Sequence, residues 1–278
     1  MNVGATPVWE RIASALERIA PAPQTHTDWQ SAPAFLWNAK TAVPVAELNA
    51  QPLEQLLGIE AQKVALRDNC MALAKGAAAH DMVLWGARGM GKSALVRSVI
   101  ADIQQEDGDK IALIQIANGA IGSLADLILE LAQQPRAFVL FCDDLTFNDR
   151  DTEANLALRS LLDGGVVPRP PHIRFALTSN RRALTKQVKI DDPTSMHARD
   201  ERDNFLALTD RFGLNLGFHP CDQETYLDIV RVYLEPLGIE FNETEACTWT
   251  VARGNRSGRT AYQFAVEMAA RSGKALIP

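Results

Sequence analysis

His80 to Ile100 reads HDMVLWGARGMGKSALVRSVI, and the reading of this stretch decides the fold. Met82 to Trp85 form a short apolar run of the kind a buried parallel strand shows. Gly86-Ala87-Arg88-Gly89-Met90-Gly91-Lys92-Ser93 then fits the pattern G-x-x-x-x-G-K-[ST]. Ala94, Leu95, Val96, Val99 and Ile100 continue with the apolar face of a helix. The spacing has a chemical reason. Glycines at 86, 89 and 91 let the backbone curl until several N–H groups point at one phosphate, helped by the positive end of the following helix dipole. Lys92 can reach the β- and γ-phosphates as a point charge, and the Ser93 hydroxyl can ligate Mg²⁺. A glycine-rich turn that matched by chance would not be expected between a strand and a helix. Residues 86–93 are therefore read as a P-loop.

Working outward, composition sets bounds. The chain has 278 residues, enough for one large domain or two smaller ones, and 47% are apolar against 22% charged. A formal net charge of −6 argues against a protein that coats nucleic acid non-specifically, without excluding a local basic face. Cys70, Cys142, Cys221 and Cys247 show no C-x-x-C pairing and no histidine at metal-ligand spacing, so they read as reduced core thiols of a cytoplasmic protein. No apolar run is long enough to cross a membrane, and Glu10, Arg11, Glu17 and Arg18 stand where a signal peptide needs an apolar centre.

Before the P-loop, Trp9, Ile12, Ala13, Leu16, Ile19 and Ala20 recur at helical spacing after Thr6-Pro7, until Pro21 and Pro23. Trp29, Phe35, Leu36 and Trp37 suggest a second packed segment, and residues 38–50 read as a connector. This N-terminal piece is either a helical layer over the domain behind it or a docking element. Leu56 to Glu60 open a further helix. After the P-loop, strands and helices alternate: IALIQI (111–116), a helix over 123–132, AFVLFC (137–142), a helix over 153–162, IRFALT (173–178) and a last strand over 214–218. That alternation implies an α/β fold with a parallel sheet covered on both faces. The strand AFVLFC runs into Asp143-Asp144, the pattern called Walker B. Asp143 would hold Mg²⁺, through water, and Asp144 would orient the attacking water. Asn180 follows the next strand, where a polar side chain can reach the γ-phosphate; a turn-forming Asn is the alternative. Three helices close the chain, with Tyr226, Ile229, Val230, Tyr233 and Leu234, and then Ala261, Phe264, Ala265, Met268 and Ala269, as stripes read as core.

The P-loop, Asp143-Asp144, Thr178-Ser179-Asn180, Asp210-Arg211-Phe212-Gly213-Leu214 and Arg256-Ser257-Gly258-Arg259, in that order, resemble an AAA+ ATPase. More narrowly, FCDDLTF, TSNRR, LTDRFGL and RSGRTAYQF are similar to the bacterial AAA+ family known as domain of unknown function 815, over roughly residues 56–273. The resemblance implies an N-terminal segment over 1–50, an ATP- and Mg²⁺-dependent α/β domain over 51–219 and a small helical lid over 220–278. It also implies roles. Asn180 matches the sensor 1 position, Arg211 the stretch that supplies an arginine finger to a neighbouring subunit, and Arg259 the sensor 2 arginine of the lid, with Arg256 three residues away as an alternative. Gly58-Ile59 match the segment that lies against adenine. Residue types suit these roles, because a planar guanidinium stabilises charge spread over γ-phosphate oxygens. A surface ion pair, with Asp210 for example, is the plainer account of Arg211. An arginine at a helix start is opposed by the helix dipole unless an anion faces it, which favours the phosphate role for Arg259. Many AAA+ enzymes carry Asp-Glu where this chain carries Asp143-Asp144, so slow hydrolysis is expected.

Three tasks fit such an ATPase. A polypeptide-threading unfoldase needs an aromatic pore loop, and Ala117 to Gly122 carries none. A nucleic-acid remodeller or loader needs a basic face; Arg169, Arg174, Arg181, Arg182, Lys186 and Lys189 lie in one stretch without an acid. An ATP-gated switch or scaffold would bind a protein partner and turn over slowly. An arginine finger further implies an ATP-promoted homo-oligomer, a ring or a helix.

Overall fold

The computed structural model describes residues 7–9, 12, 27–145, 152–164, 169–180 and 209–276. A seven-stranded sheet runs β2-β1-β4-β5-β6-β3-β7. Its strands are β1 (Ala34–Trp37), β2 (Ala42–Val45), β3 (Met82–Gly86), β4 (Ile111–Ile116), β5 (Ala137–Cys142), β6 (Ile173–Ser179) and β7 (Leu214–Phe218). All neighbours pair in parallel except β1 and β2. The central strands are apolar throughout because both faces are covered. In β5, Phe138, Leu140 and Cys142 join one core while Ala137, Val139 and Phe141 join the other. The first core is closed by α3 (Leu124–Leu131) and α4 (Thr152–Leu162), the second by α1 (Glu60–Ala74) and α2 (Lys92–Asp107).

Two expectations for the N-terminal piece change. Residues 34–45 are not a preamble and connector: β1 pairs with β4 over Ala34↔Leu113 to Trp37↔Ile116, and β2 forms the sheet edge beside it. The sheet thus begins before the expected boundary at residue 50. Arg136 explains how, a residue that periodicity cannot flag. It is 2% exposed and donates to the carbonyls of Trp29, Ala32 and Ile111. Those bonds tie the chain ahead of β1 to the start of β4. The expected first helix falls mostly outside the described residues. Val8, Trp9 and Ile12 are helical there but exposed, so at these positions the apolar face does not cover the domain.

The last three helices, α5 (Gln223–Leu234), α6 (Glu243–Arg253) and α7 (Gly258–Arg271), pack on a core of their own around Tyr226, Val230, Leu234, Ala246 and Phe264. Each begins with a side-chain cap: Asp222 accepts from Thr225 N, Asn242 from Thr244 N, and Ser257 from Thr260 N. The stretch Ala117 to Gly122, which lacks a pore-loop aromatic, falls largely in a 3₁₀ turn (Asn118–Ser123) whose Ala120 and Ile121 are buried in the sheet's core. The charged stretch from Asp191 to Asp203 lies outside the described residues.

Candidate nucleotide-binding site

Strand order β5-β6-β3 brings together whatever the chain carries after each of these strands. After β3 comes the glycine-rich turn, with φ of 128° at Gly86, 79° at Gly89 and 82° at Gly91. A Cβ on Gly86 would lie 2.0 Å from the carbonyl oxygen of Phe218, the same oxygen that accepts from Ala87 N at 2.9 Å. Only glycine meets both demands. Lys92, the first residue of α2, is 5% exposed and donates to Gly86 O (3.0 Å), Ala87 O (2.9 Å) and Asn180 Oδ1 (2.9 Å). Burial lowers its pKa from 10.5 to about 8, against the pull of Asp144 and Asp143.

Asp143, at the end of β5, accepts from Ser93 Oγ and from Thr178 Oγ1, the latter at 2.6 Å. The same Thr178 hydroxyl accepts from Asp144 N at 2.8 Å, and its backbone carbonyl accepts from Leu145 N at 2.9 Å. Thr178 therefore sets the exit angle of β5, and Asp144 takes the left-handed φ of 52°. The Asp144 carboxylate accepts from Asn180 Nδ2 and faces Arg88 Nη2 at 3.6 Å. Ser93 Oγ and the Asp143 carboxylate form a pair of hard oxygens that would suit Mg²⁺.

The lid touches this turn directly. Arg259 N donates to Gly89 O at 3.2 Å, and a Cβ on Gly89 would meet Ser257 Oγ at 2.9 Å and Arg259 Cβ at 3.0 Å. Arg259 lines a cavity of about 430 Å³ together with Arg88 to Ser93 of the P-loop, Asp143, Asp144 and Asn180, while Gly86 and Ala87 lie behind it. That size falls in the range of small-ligand sites. Arg256 does not line it, which separates the two lid arginines. Ile59 lines it beside Gly91, while Gly58 turns with φ of 74° against Thr225 of α5. Arg211 is not part of the cavity; it makes a two-pronged pair with Asp163, one prong of 3.0 Å from Nη2 to Oδ2. That contact holds the Asp163 carboxyl below its usual pKa. Of the basic stretch, Arg169 turns inward to Asp81 (2.7 Å) and Arg174 donates to Ala79 O (2.6 Å). Arg181, Arg182, Lys186 and Lys189 lie outside the described residues.

Sequence reasoning missed part of the wall. Ile229 and Tyr233, read as core with the rest of their stripe, line the cavity along with Tyr262 and Gln51. The signal was two tyrosines on lid helices, residues that usually keep a hydroxyl near water or a polar partner. Thr178 stood in the motif that ends in Asn180, but nothing in the sequence marked its bonds to Asp143 and Asp144, since a threonine in a strand is ordinary.

A family model described as "Protein of unknown function (DUF815)" matches residues 30–272. The chain belongs to the DUF815 family. Among curated proteins, no sequence matches this DUF815 chain. Among solved structures it is similar to the RuvB Holliday junction branch migration motor of Thermotoga maritima, with a TM-score of 0.50 and 16% identity over 83% of this chain and 69% of that one. It is also similar to the Aeropyrum pernix ORC1 protein in complex with DNA, with a TM-score of 0.55 and 14% identity over 80% of this chain and 65% of that one. At such identities the likeness is one of fold, and the DUF815 fold is that of AAA+ ATPases. Among the described residues no helix is long and apolar enough to cross a membrane.

Proposed function

We propose that this protein binds ATP with Mg²⁺ in the cavity at the carboxyl edge of its sheet and hydrolyses it to drive or gate a conformational change in a macromolecular partner. One observation carries the reading: Lys92, Ser93, Asp143, Asn180 and Arg259, from four elements, border one cavity with the P-loop. A P-loop backbone cradles phosphate oxygens, and Lys92 adds a cation to the β- and γ-phosphates. Ser93 and Asp143 hold Mg²⁺, which neutralises phosphate charge when bound. Asn180 and Asp144, already hydrogen-bonded to each other, orient the attacking water. Asp144 is the base available there, and its left-handed backbone and short side chain suit a slow enzyme. Arg259 senses the γ-phosphate from α7, so ATP and ADP hold the lid differently. Arg211, paired outside the cavity, acts on the ATP of a neighbouring copy.

The segment checked against the aromatic pore-loop pattern carries no aromatic residue, and two of its residues, Ala120 and Ile121, are buried in the core. Two of the six basic residues counted toward a nucleic-acid face serve the domain's own structure. Turnover measured alone and with single-stranded DNA, duplex DNA and RNA separates the remaining readings. Stimulation by a nucleic acid supports a remodeller; none supports a switch for a protein partner. The ATPase reading itself is tested by calorimetry and turnover together. Lys92→Ala should lose tight ATP binding, and Asp144→Asn should bind ATP normally and hydrolyse it at least tenfold more slowly, on the order of the 10²-fold and more that general-base loss costs. Equal ATP affinity in Lys92→Ala and wild type would end the proposal.

A further inference from the structure

A second cavity, of about 220 Å³, lies where the P-loop meets the lid. Arg88, Arg253 and Arg259 border it together with the buried Ser257 and Thr260, and no carboxylate lines it among the described residues. It shares two arginines with the larger cavity, since Arg88 and Arg259 line both. Its size falls below the range of sites for drug-sized ligands and suits a small ion.

Charge there is unbalanced. Arg88 faces Asp144 at 3.6 Å, but among the described residues neither Arg253 nor Arg259 makes an ion pair. Arg253, the last residue of α6, is held instead by Trp249. Its guanidinium lies 3.5 Å from the ring centroid, and Trp249 packs edge-on against Phe264 of the lid core. Stacking occupies the flat face of the guanidinium and leaves the N–H groups at its edge to donate to an oxyanion. The start of α7 adds little, because the N–H groups of Arg259 and Thr260 already donate to Gly89 O and Ser257 Oγ. Two guanidiniums without acids match a dianion, and a carboxylate or a phosphodiester carries only one charge. Inorganic phosphate is such a dianion, and hydrolysis in the adjoining cavity produces it. We propose that this second cavity is a product site, where Arg253 and Arg259 hold the phosphate cleaved from ATP before it leaves the protein. The inference rests on the MgATP reading above and gives the released phosphate a binding site of its own. Because Arg259 borders both cavities, one guanidinium serves the phosphate before and after it parts from the nucleotide.

The test is a calorimetric titration with inorganic phosphate of protein saturated with MgADP, on wild type, Arg253→Gln and Arg253→Met. MgADP leaves the γ-phosphate position open, so the variants separate phosphate bound there from phosphate bound in the second cavity. Methionine keeps an apolar contact with Trp249, and thermal unfolding checks that each lid still folds. Wild type should bind phosphate, and both variants should bind it about tenfold or more weaker, the worth of a charge-assisted hydrogen bond, with MgADP affinity unchanged. Phosphate added during turnover should likewise inhibit the variants less than wild type. No phosphate binding in wild type, or wild-type phosphate affinity in either folded variant, overturns the inference and leaves the ATP site standing. A short oligothymidylate that binds more tightly than phosphate, and is lost with Arg253, also overturns it, because the cavity would then seat a nucleic-acid backbone. Wild type that binds no MgADP removes the ATP reading, and this inference with it.

Discussion

Lys92 is a buried cation that needs an anion. Its pKa, lowered from 10.5 to about 8 by burial, means that between those two values the unfolded chain holds the proton more tightly than the folded one. Burial of the charged form therefore costs stability below pH 8, and that cost fades as pH rises through the window. Triphosphate binding has the opposite preference, because it requires the charged lysine. ATP affinity should accordingly weaken as pH rises through about 8, with proton uptake on binding measurable by titration in buffers of different ionisation enthalpy. Lys92→Met should bind ATP weakly, by roughly 30-fold or more for a lost charge-assisted contact, and show no such pH dependence. Wild-type affinity that stays flat from pH 7 to 9.5, with no proton taken up, would contradict the buried-cation account.

Between elements, two contacts decide whether the site is assembled. The first is α7 on the P-loop, which passes through Gly89. Gly89→Ala meets Ser257 and Arg259 and is strained at φ of 79°. It should reduce ATP affinity about tenfold and lower the Tm by a few degrees. Gly238→Ala is the control: φ is 61°, but nothing lies within 4 Å, so it should lower the Tm without touching ATP affinity. If the two variants behave alike, α7 does not need its seat on the P-loop. The second contact is Arg136 beneath β1 and β4. Arg136→Met takes the guanidinium from the Trp29 and Ala32 carbonyls, while Ile111 O keeps Gln104 Nε2 at 2.9 Å, and should destabilise the fold by roughly 2–4 kcal/mol, read as a lower denaturant midpoint. A midpoint equal to wild type would mean that water replaces the guanidinium fully.

For the whole molecule, Arg211 sets the prediction. It precedes β7, pairs with Asp163 and is absent from its own chain's cavity. An arginine so placed can speed phosphoryl transfer only if a second copy brings its ATP to it. That contact is head-to-tail, so it closes into a ring or continues as a helix. MgATP should promote oligomers, and specific activity should rise with protein concentration. Arg211→Ala should bind ATP normally but lose the concentration-dependent activity, and mixing it with Lys92→Ala should restore part of it. In the mixture, one variant lends its arginine to the other's working P-loop. A monomer at all concentrations with MgATP, together with unchanged turnover in Arg211→Ala, would reduce this residue to its ion pair with Asp163.

The sequence by itself determined the parts that short range fixes. A P-loop is eight consecutive residues whose glycines, lysine and serine must stand in that order, so residues 86–93 were legible without any contact map. The strands from 111 to 178 were legible for a related reason, since burial on both faces writes an uninterrupted apolar run into each. What only the tertiary structure decided depends on residues far apart in the chain. A four-residue strand such as β1 carries too little pattern to announce itself, and it joins the sheet because a buried arginine a hundred positions later collects its flanking carbonyls. Tyr233 shares a helical stripe with the lid core, and periodicity gives a helix face without saying where that face ends. Gln51, Tyr233 and Tyr262 became one wall only when the lid closed over the segment ahead of α1. Local order is set by neighbours in sequence, while a binding wall is set by which elements pack, and the second is not contained in the first.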